Sequence, residues 1–531
     1  MTASAWTRRA LVVSAAAALL ASSAQATSGA HGPDLVEVRD GALRGVVSGD
    51  HRTFSGIPFA APPVGDRRWR APAPVTHWRG VRDATEPGNR CPQLSQGPPA
   101  QRVVTGSEDC LYLDVTTPAA EDDAHLPVMV WIPGGGFVTG AGSDYDPARL
   151  AVTGRVVVVT VNYRLGALGF LAHRDLGGGD VWSGNYGLAD QQMALRWVRD
   201  NIEAFGGDAR NVTLFGQSAG AFSVCAQLAS PRAHGLFDKA IVQSGPCGNS
   251  FVSKADAEER GAETAARLGC AVSADVATCL REKPAADLVG VEDEEAFGST
   301  GRLRDMPWTP VAGTPVLPAQ PLDALRSGAA AGIPLVQGVT RDEMRPFVAL
   351  DNDAQGRPVT LASYPAILRH VFGADADRVL SEYPADRYPT PGIALATVLT
   401  DWGAKLGACG APPADTAAAR YAPVYAYEFG QDDGGRIGTF PMGAAHGAEL
   451  PYLFDGSFAG PRPAPSSPAQ LALSRTLITY WTTFARTGDP DRGEWPEYRP
   501  GAPIPFLSSE GTRQVDFLTE HHCLFWRTVD R

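Results

Sequence analysis

Asn211-Val212-Thr213-Leu214-Phe215-Gly216-Gln217-Ser218-Ala219-Gly220 runs from a β-prone apolar segment into a helix-prone one (Ala219 to Leu228) with no residues to spare for a loop. A strand that turns straight into a helix crowds the backbone on both sides of the turning residue. Glycine, with no Cβ, relieves that crowding, and Gly216 and Gly220 flank the turn. Ser218 at the apex is then lifted above a sheet, with the first N–H groups of the following helix beneath it. Negative charge developing at such a place meets the positive end of a helix dipole. The G-x-S-x-G pattern alone is weak in a glycine-rich chain; the strand before it and the helix after it give it weight.

The flanking sequence supplies the sheet. Leu126 to Ile132 is an apolar run that stops at Pro133-Gly134-Gly135-Gly136, and Arg155 to Asn162 is β-branched on both alternating faces. A strand apolar on both faces is one covered on both sides, as in a central parallel sheet. Asp190 to Phe205 places Met193, Leu195, Trp197, Val198 and Ile202 along one side of a helix. Lys239 to Gln243, Ile333 to Val339 and Val424 to Phe429 read as further strands, and Leu471 to Ala485 as a helix after a Pro/Ser/Ala-rich surface loop from about Pro461 to Ala469. Strand and helix alternating in this order predict an α/β fold: a large, mainly parallel central sheet flanked by helices, with helical insertions after about residue 250. The chain of 531 residues would suggest three or four domains at about 150 residues each. A sheet of this size favours one domain over residues 27–531 instead.

Composition narrows the function classes. Hydrophobic residues at 44% and charged residues at 20% are globular values. A net charge of −12 with no basic block argues against nucleic acid as a partner. Thr7-Arg8-Arg9, the apolar run Ala10 to Ala21 and Ala24-Gln25-Ala26 form the three parts of a secretory signal peptide over residues 1–26, cut after Ala26. The apolar run is shorter than the roughly 20 residues a membrane span needs, and no cysteine follows it to carry a lipid anchor. The mature protein is expected to be exported, without a membrane anchor. In an oxidising compartment the eight cysteines (Cys91, Cys110, Cys225, Cys247, Cys270, Cys279, Cys409 and Cys523) read as disulfides rather than reactive thiols. With no CxxC pair and no HExxH, neither a metal site nor another cofactor has support.

A serine hydroxyl needs a base to become a nucleophile and donors for the oxyanion it generates. Gly134-Gly135-Gly136 follows a strand upstream of Ser218, where backbone N–H groups can approach a carbonyl closely. The chain order Ser, acid, His leaves the histidines after Ser218 as candidate bases. His234 is too near the serine's helix, His370 sits at helical spacing among Leu and Val, and His521 and His522 lie at the extreme C-terminus. His446 sits in the small-residue loop Gly443-Ala444-Ala445-His446-Gly447-Ala448-Glu449, soon after a strand, where a catalytic base belongs. Asp342 and Glu343 both follow the strand Ile333 to Val339; residue type and spacing do not choose between them.

From about Val36 to Trp526 the chain resembles the type-B carboxylesterase/lipase family, which includes the cholinesterases. The words that carry the resemblance are Phe54-Ser55-Gly56-Ile57-Pro58-Phe59-Ala60, Glu108-Asp109-Cys110-Leu111-Tyr112-Leu113-Asp114, Gly134-Gly135-Gly136-Phe137, Phe215 to Gly220, Gln243-Ser244-Gly245, Gly338 to Glu343, His446-Gly447-Ala448-Glu449 and Tyr480-Trp481 to Gly488-Asp489-Pro490. The resemblance implies an α/β-hydrolase fold, with Ser218 as nucleophile, Glu343 as acid and His446 as base. Gly135, Gly136 and Ala219 would be the oxyanion donors, and Cys91–Cys110, Cys270–Cys279 and Cys409–Cys523 the disulfides; Cys225 and Cys247 receive no assignment. The expected function is a secreted serine carboxylesterase acting on a small-molecule ester through an acyl-enzyme. A lipase or a hydrolase of a natural-product or polymer ester is the alternative, and a non-catalytic binding module a remote one.

Three positions depart from the family. Gln217 replaces a common Glu, removing a negative charge beside the nucleophile, with a weaker pull on cations and a small change at the histidine expected. Pro133 and Met344 stand where His or an aromatic residue and Gly are common. No tryptophan lies between Cys91 and Cys110, which argues against a choline substrate. The insertion Glu292 to Pro310, with Phe297, Met306 and Trp308, is placed either to narrow the substrate pocket or to pack on itself.

Overall fold

A computed structural model describes residues 32–95, 101–119, 125–177, 181–291, 298–433, 435–456, 464–492 and 495–529. Residues 1–26, expected from the sequence to be a signal peptide, and Phe297 lie outside the described residues. Pro33–Arg531 forms one compact unit.

Strand character follows burial on two faces. Leu126–Ile132 is buried at every position, and its residues divide by the twofold period of a strand. Val128, Val130 and Ile132 enter one apolar cluster, while Met129 and Trp131 enter another. The strand is thus the middle layer of a sandwich with helices on both sides.

In chain order the sheet contains β1 (Val46–Ser48), β2 (His51–Pro58), β3 (Tyr112–Pro118), β4 (Leu126–Ile132), β5 (Val157–Val161), β6 (Gly207–Gln217), β7 (Lys239–Gln243), β8 (Leu335–Thr340), β9 (Val424–Phe429), β10 (Ile504–Ser508) and β11 (Gly511–Val515). The eleven strands lie in the order β11-β10-β9-β8-β7-β6-β4-β5-β3-β2-β1. All pairings from β10 through β5 are parallel, and the pairings at the two flanks are antiparallel. Helices α1 (Ala148–Gly154) and α4 (Pro468–Thr487) contribute Leu150, Leu477 and Trp481 to one face. Helices α2 (Tyr186–Asn201) and α3 (Ala219–Ala229) contribute Leu195, Val198 and Val224 to the other.

Several boundaries differ from the sequence reading for local reasons. Strand β6 begins at Gly207, four residues early, because a register shift against β4 between Gly207 and Val212 absorbs the polar residues between them. Helix α2 starts at Tyr186 and passes at Ile202–Phe205 into a 3-10 turn closed by left-handed Gly206. Helix α4 gains a turn at its start, where Ser467 caps Gln470 N–H and Pro468 takes the first helical position. The insertions after residue 250 run from Lys254–Arg267 to Ala411–Ala418 and are helical, interrupted by β8. Met306 and Trp308 are buried in the core cluster shared with α2 and α3, so both pack the insertion.

Strands β5 and β6 lie on opposite sides of β4, so connections leaving the C-terminal ends of β4 and β6 part company and open a crevice. The glycines Gly134 to Gly136 leave β4 there, and Ser218 leaves β6. All eight cysteines are paired: Cys91–Cys110, Cys270–Cys279 and Cys409–Cys523 as the resemblance implied, and Cys225–Cys247 as a fourth bond. Among the described residues no helix is long and apolar enough to cross a membrane.

Candidate active site

Strand β6 ends at Gln217 and α3 begins at Ala219, leaving Ser218 alone in the turn at φ 58°, ψ −125°. Such a conformation costs a non-glycine residue on the order of 1–3 kcal/mol and persists only where its surroundings enforce it. Here Ser218 N–H donates to Gln243 O of β7 at 2.9 Å, and Ser218 O accepts from Phe222 N–H at 3.0 Å. The flanking glycines are steric necessities: a Cβ on Gly220 would lie 2.0 Å from Ile132 O, and one on Gly216 2.6 Å from the Gly220 carbonyl carbon. The β4 glycine loop presses on the same turn. A Cβ on Gly134 would lie 2.8 Å from Gln217 O and 3.2 Å from Ser218 Cβ, while Gly135 and Gly136 take positive φ values of 118° and 62°.

The two adjacent acids after β8 do different things. Glu343 is fully buried, its Oε1 accepting from Thr340 N–H at 2.8 Å and its Oε2 standing 2.5 Å from His446 Nδ1. Asp342 holds the backbone of the histidine loop. Its Oδ2 accepts from Ala444 N–H at 2.9 Å, its own N–H donates to Ala444 O at 3.0 Å, and its Oδ1 pairs with Arg345 at 2.7 Å. Burial pushes the Asp342 carboxyl up, and the Arg345 charge opposes that rise. A Cβ on Gly443 would lie 2.2 Å from Asp342 Oδ2, so glycine is required where the loop passes the carboxylate. The two acids differ in what they touch: Glu343 meets the ring and Asp342 the loop.

His446 is buried apart from 9% of its surface, with the Phe347 ring centroid 5.4 Å from its own. With Nδ1 facing a carboxylate, that nitrogen carries the proton and Nε2 is left as an acceptor. Gln217 Nε2 stands 3.0 Å from His446 Nε2, so the amide donates to the ring nitrogen that does not face Glu343. Gln217, noted in the sequence as a missing charge, is therefore the imidazole's direct neighbour. Met344 fits at its position with its N–H donating to Thr400 Oγ1 at 3.0 Å.

Two features escaped the sequence reading. Glu449 is buried behind the site; its Oε1 accepts from Gln243 Nε2 at 3.1 Å, and Gln243 Oε1 in turn accepts from Trp481 Nε1 at 3.0 Å. Burial, with the nearby Glu343 carboxylate adding to it, pushes Glu449 up to about 7. Its only trace in the sequence is its place three residues after His446. His521, set aside for its position near the chain end, is buried between Asp401 at 2.6 Å and Glu428 at 2.9 Å. Burial pulls this imidazole down, but the two carboxylates outweigh it and hold it up at about 10. His370 and His234 are exposed, and His522 pairs with Glu382 at 2.6 Å at the surface.

A strained serine between a strand and a helix, a glycine loop against it, and an imidazole fixed by a buried carboxylate are the parts that acyl transfer requires. Residues 32–526 match the sequence model of the Carboxylesterase family. The chain belongs to the carboxylesterase family. This carboxylesterase is similar to the para-nitrobenzyl esterase of Bacillus subtilis (strain 168), 37% identical over 479 residues that cover 87% of the chain and 92% of the relative. It is also similar to the fumonisin B1 esterase of Sphingopyxis macrogoltabida, 36% identical over 500 residues, 90% of the chain and 88% of the relative. Carboxylesterase 4A of Bos taurus is 34% identical over 533 residues, 93% of the chain and 94% of the relative. Among solved structures, a PNB esterase superposes with a TM-score of 0.76 at 35% identity, covering 93% of this chain and all of that one. The carboxylesterase is thus a carboxylic ester hydrolase on the α/β-hydrolase fold.

Proposed function

We propose that this carboxylesterase is a secreted serine esterase that cleaves small-molecule carboxylic esters through an acyl-enzyme. The observation that carries this reading is the buried Glu343–His446 pair at 2.5 Å, with Gln217, the residue before strained Ser218, hydrogen-bonded to the far nitrogen of the same imidazole. Ser218 Oγ attacks the ester carbonyl carbon as its proton passes to His446 Nε2. Glu343 stabilises the resulting imidazolium without taking its proton. The carbonyl oxygen, now an oxyanion, is met by the N–H groups of Gly135, Gly136 and Ala219; Ala219 opens α3, where N–H groups have no intrahelical partner. Collapse expels the alcohol oxygen, which takes the proton from Nε2 and leaves an ester on Ser218. Water then gives a proton to Nε2, attacks the acyl carbon, and a second collapse releases the acid and restores Ser218.

Protons and nucleophile all come from side chains and water, so the cycle requires no cofactor. Export is supported by the pairing of all eight cysteines, a pattern of oxidising compartments, together with the residue 1–26 reading. The neutral Gln217, and the absence of tryptophan between Cys91 and Cys110, favour uncharged esters over choline esters.

The test is hydrolysis of p-nitrophenyl esters from acetate to palmitate by the mature protein and by Ser218→Ala. The expected result is a burst followed by turnover in the wild type, both lost in the variant, and the chain-length optimum then separates carboxylesterase from lipase. An optimum at palmitate would make the enzyme a lipase. Equal turnover by the two proteins would overturn the assignment of Ser218.

A further inference from the structure

Cys225–Cys247 is the disulfide that the family resemblance did not supply, and it stands next to the proposed nucleophile. Cys225 lies on α3 about two turns beyond Ser218. Cys247 lies in the segment that follows β7. Both cysteines are only 1% exposed. The segment between β7 and Cys247 fills the angle where α3 departs from the sheet. Gln243 O holds Ser218 N–H, and Ser244, at a positive φ of 54°, donates its N–H to Gly338 O of β8 at 2.8 Å. A Cβ on Gly245 would lie 2.6 Å from Ala221 Cβ and 2.7 Å from Ser218 O. Cys247 N–H donates to Gln337 Oε1 of β8 at 3.1 Å. On one side, therefore, the loop is bound to β8; on the other it touches the first turn of α3.

That first turn, Ala219-Gly220-Ala221, carries no side-chain atom beyond Cβ. That turn offers the sheet no side chain to grip, although its direction places Ala219 N–H relative to Ser218 Oγ. Misplacement of reacting groups by about 1 Å can cost a hundredfold in rate. We propose that the Cys225–Cys247 bond is a positioning element for acyl transfer, tying α3 to the β8-anchored loop so that Ser218 and the Ala219 N–H keep their relative placement. A second bond backs it. A Cβ on Gly248 would lie 2.0 Å from Gly410 O, and Gly410 follows Cys409, which is bonded to Cys523. The loop is thus hemmed between α3 and the segment that carries the second disulfide. Because both sulfurs are buried, the bond is a permanent brace of the folded enzyme.

The inference rests on Ser218 as nucleophile, and the test separates the two. Mature Cys225→Val/Cys247→Ala, in which valine fills the space of the lost sulfurs, is compared with wild type and with Cys270→Ala/Cys279→Ala. Kinetics on p-nitrophenyl butyrate are measured at 25 °C, together with the rate of phosphylation by a neutral p-nitrophenyl phosphate triester and with Tm. Loss of the bond is expected to lower kcat ten- to a hundredfold with KM within about threefold, and to slow phosphylation in parallel. The Cys270/Cys279 variant should lower Tm but keep kcat within twofold. Gly245→Ala, which leaves the bond intact but wedges a methyl against Ala221 and Ser218 O, should lower kcat in the same manner. If the Cys225→Val/Cys247→Ala protein does not fold, Cys225→Ala/Cys247→Ser, which also lacks the bond, takes its place in the test. Wild-type kcat in a folded variant that lacks the bond would overturn the proposal. Full turnover by Ser218→Ala would instead overturn the nucleophile assignment on which it stands.

Discussion

Replacing Gln217 by glutamate changes one atom type at the point closest to the proposed base. Gln217 Nε2 stands 3.0 Å from His446 Nε2, and the imidazole is held on its other side by Glu343 at 2.5 Å. In the wild type the amide donates to Nε2, a contact that only the neutral ring can accept. A carboxylate in its place loses that donor and brings a negative charge to roughly 4 Å from the imidazolium; both effects favour the protonated ring. Two unit charges at about 4 Å attract by about 4 kcal/mol at an effective dielectric of 20 and about 1 kcal/mol in water. The crevice is bounded by half-buried Ser218 and nearly buried His446, so the working value lies between these limits. At 1.36 kcal/mol per pH unit, a value inside those limits amounts to about one to two pH units.

The proposed mechanism needs neutral His446, so the acid limb of kcat/KM should move to higher pH by the same amount in Gln217→Glu. Below the limb the variant should be ten- to a hundredfold slower than wild type, and well above it the two should converge. The assay is kcat/KM for p-nitrophenyl acetate from pH 4.5 to 9. Gln217→Leu serves as the control that removes the donor without adding charge, and its limb should move less. A limb that stays in place or moves down in Gln217→Glu would refute the reasoning, and with it the idea that this side chain governs the histidine.

Three further outcomes follow from the same geometry. Asp342→Ala releases the histidine loop at Ala444 without touching the ring, so kcat should fall about ten- to a hundredfold while KM stays within a few-fold in steady-state assays. Glu449 is held up at about 7 against an ordinary 4.5, so its stabilising contribution is full below about pH 4.5 and is lost as pH rises through 7. Glu449→Gln should therefore flatten the decline of Tm across that interval, and an unchanged slope would remove Glu449 as its source. His521 is held up at about 10 against 6.5, so its contribution is complete below about pH 6.5 and vanishes as pH rises through 10. The Tm gap between wild type and His521→Gln should accordingly be constant in acid and close toward pH 10; a gap that widens with pH would contradict the double ion pair.

What could be read from the sequence, and what could not, divides by the range of the forces involved. Strand β4 begins and ends where its apolar run does, and β7 and β9 lie on the apolar stretches Ala240–Val242 and Val424–Tyr427, because burial on both faces demands a mostly apolar segment. Hairpin β10–β11 was missed because β11 is exposed from Gly511 to Gln514 and carries no such run. The turn at Ser218 was legible because its constraint is a clash between near neighbours, which Gly216 and Gly220 relieve. Asp342 and Glu343 could not be told apart, since the contact that separates them reaches 103 residues to His446. His521 was passed over because its partners lie 120 and 93 residues away, and Cys225–Cys247 was left open because its 5.3 Å Cα separation is a tertiary fact. Gln217 belongs to both classes. Its identity is legible inside a local motif, but its charge has meaning only against a nitrogen 229 residues away. Motif positions therefore announce the reaction, while the residues that set its pH range and rigidity are recognisable only after long-range contacts have placed them.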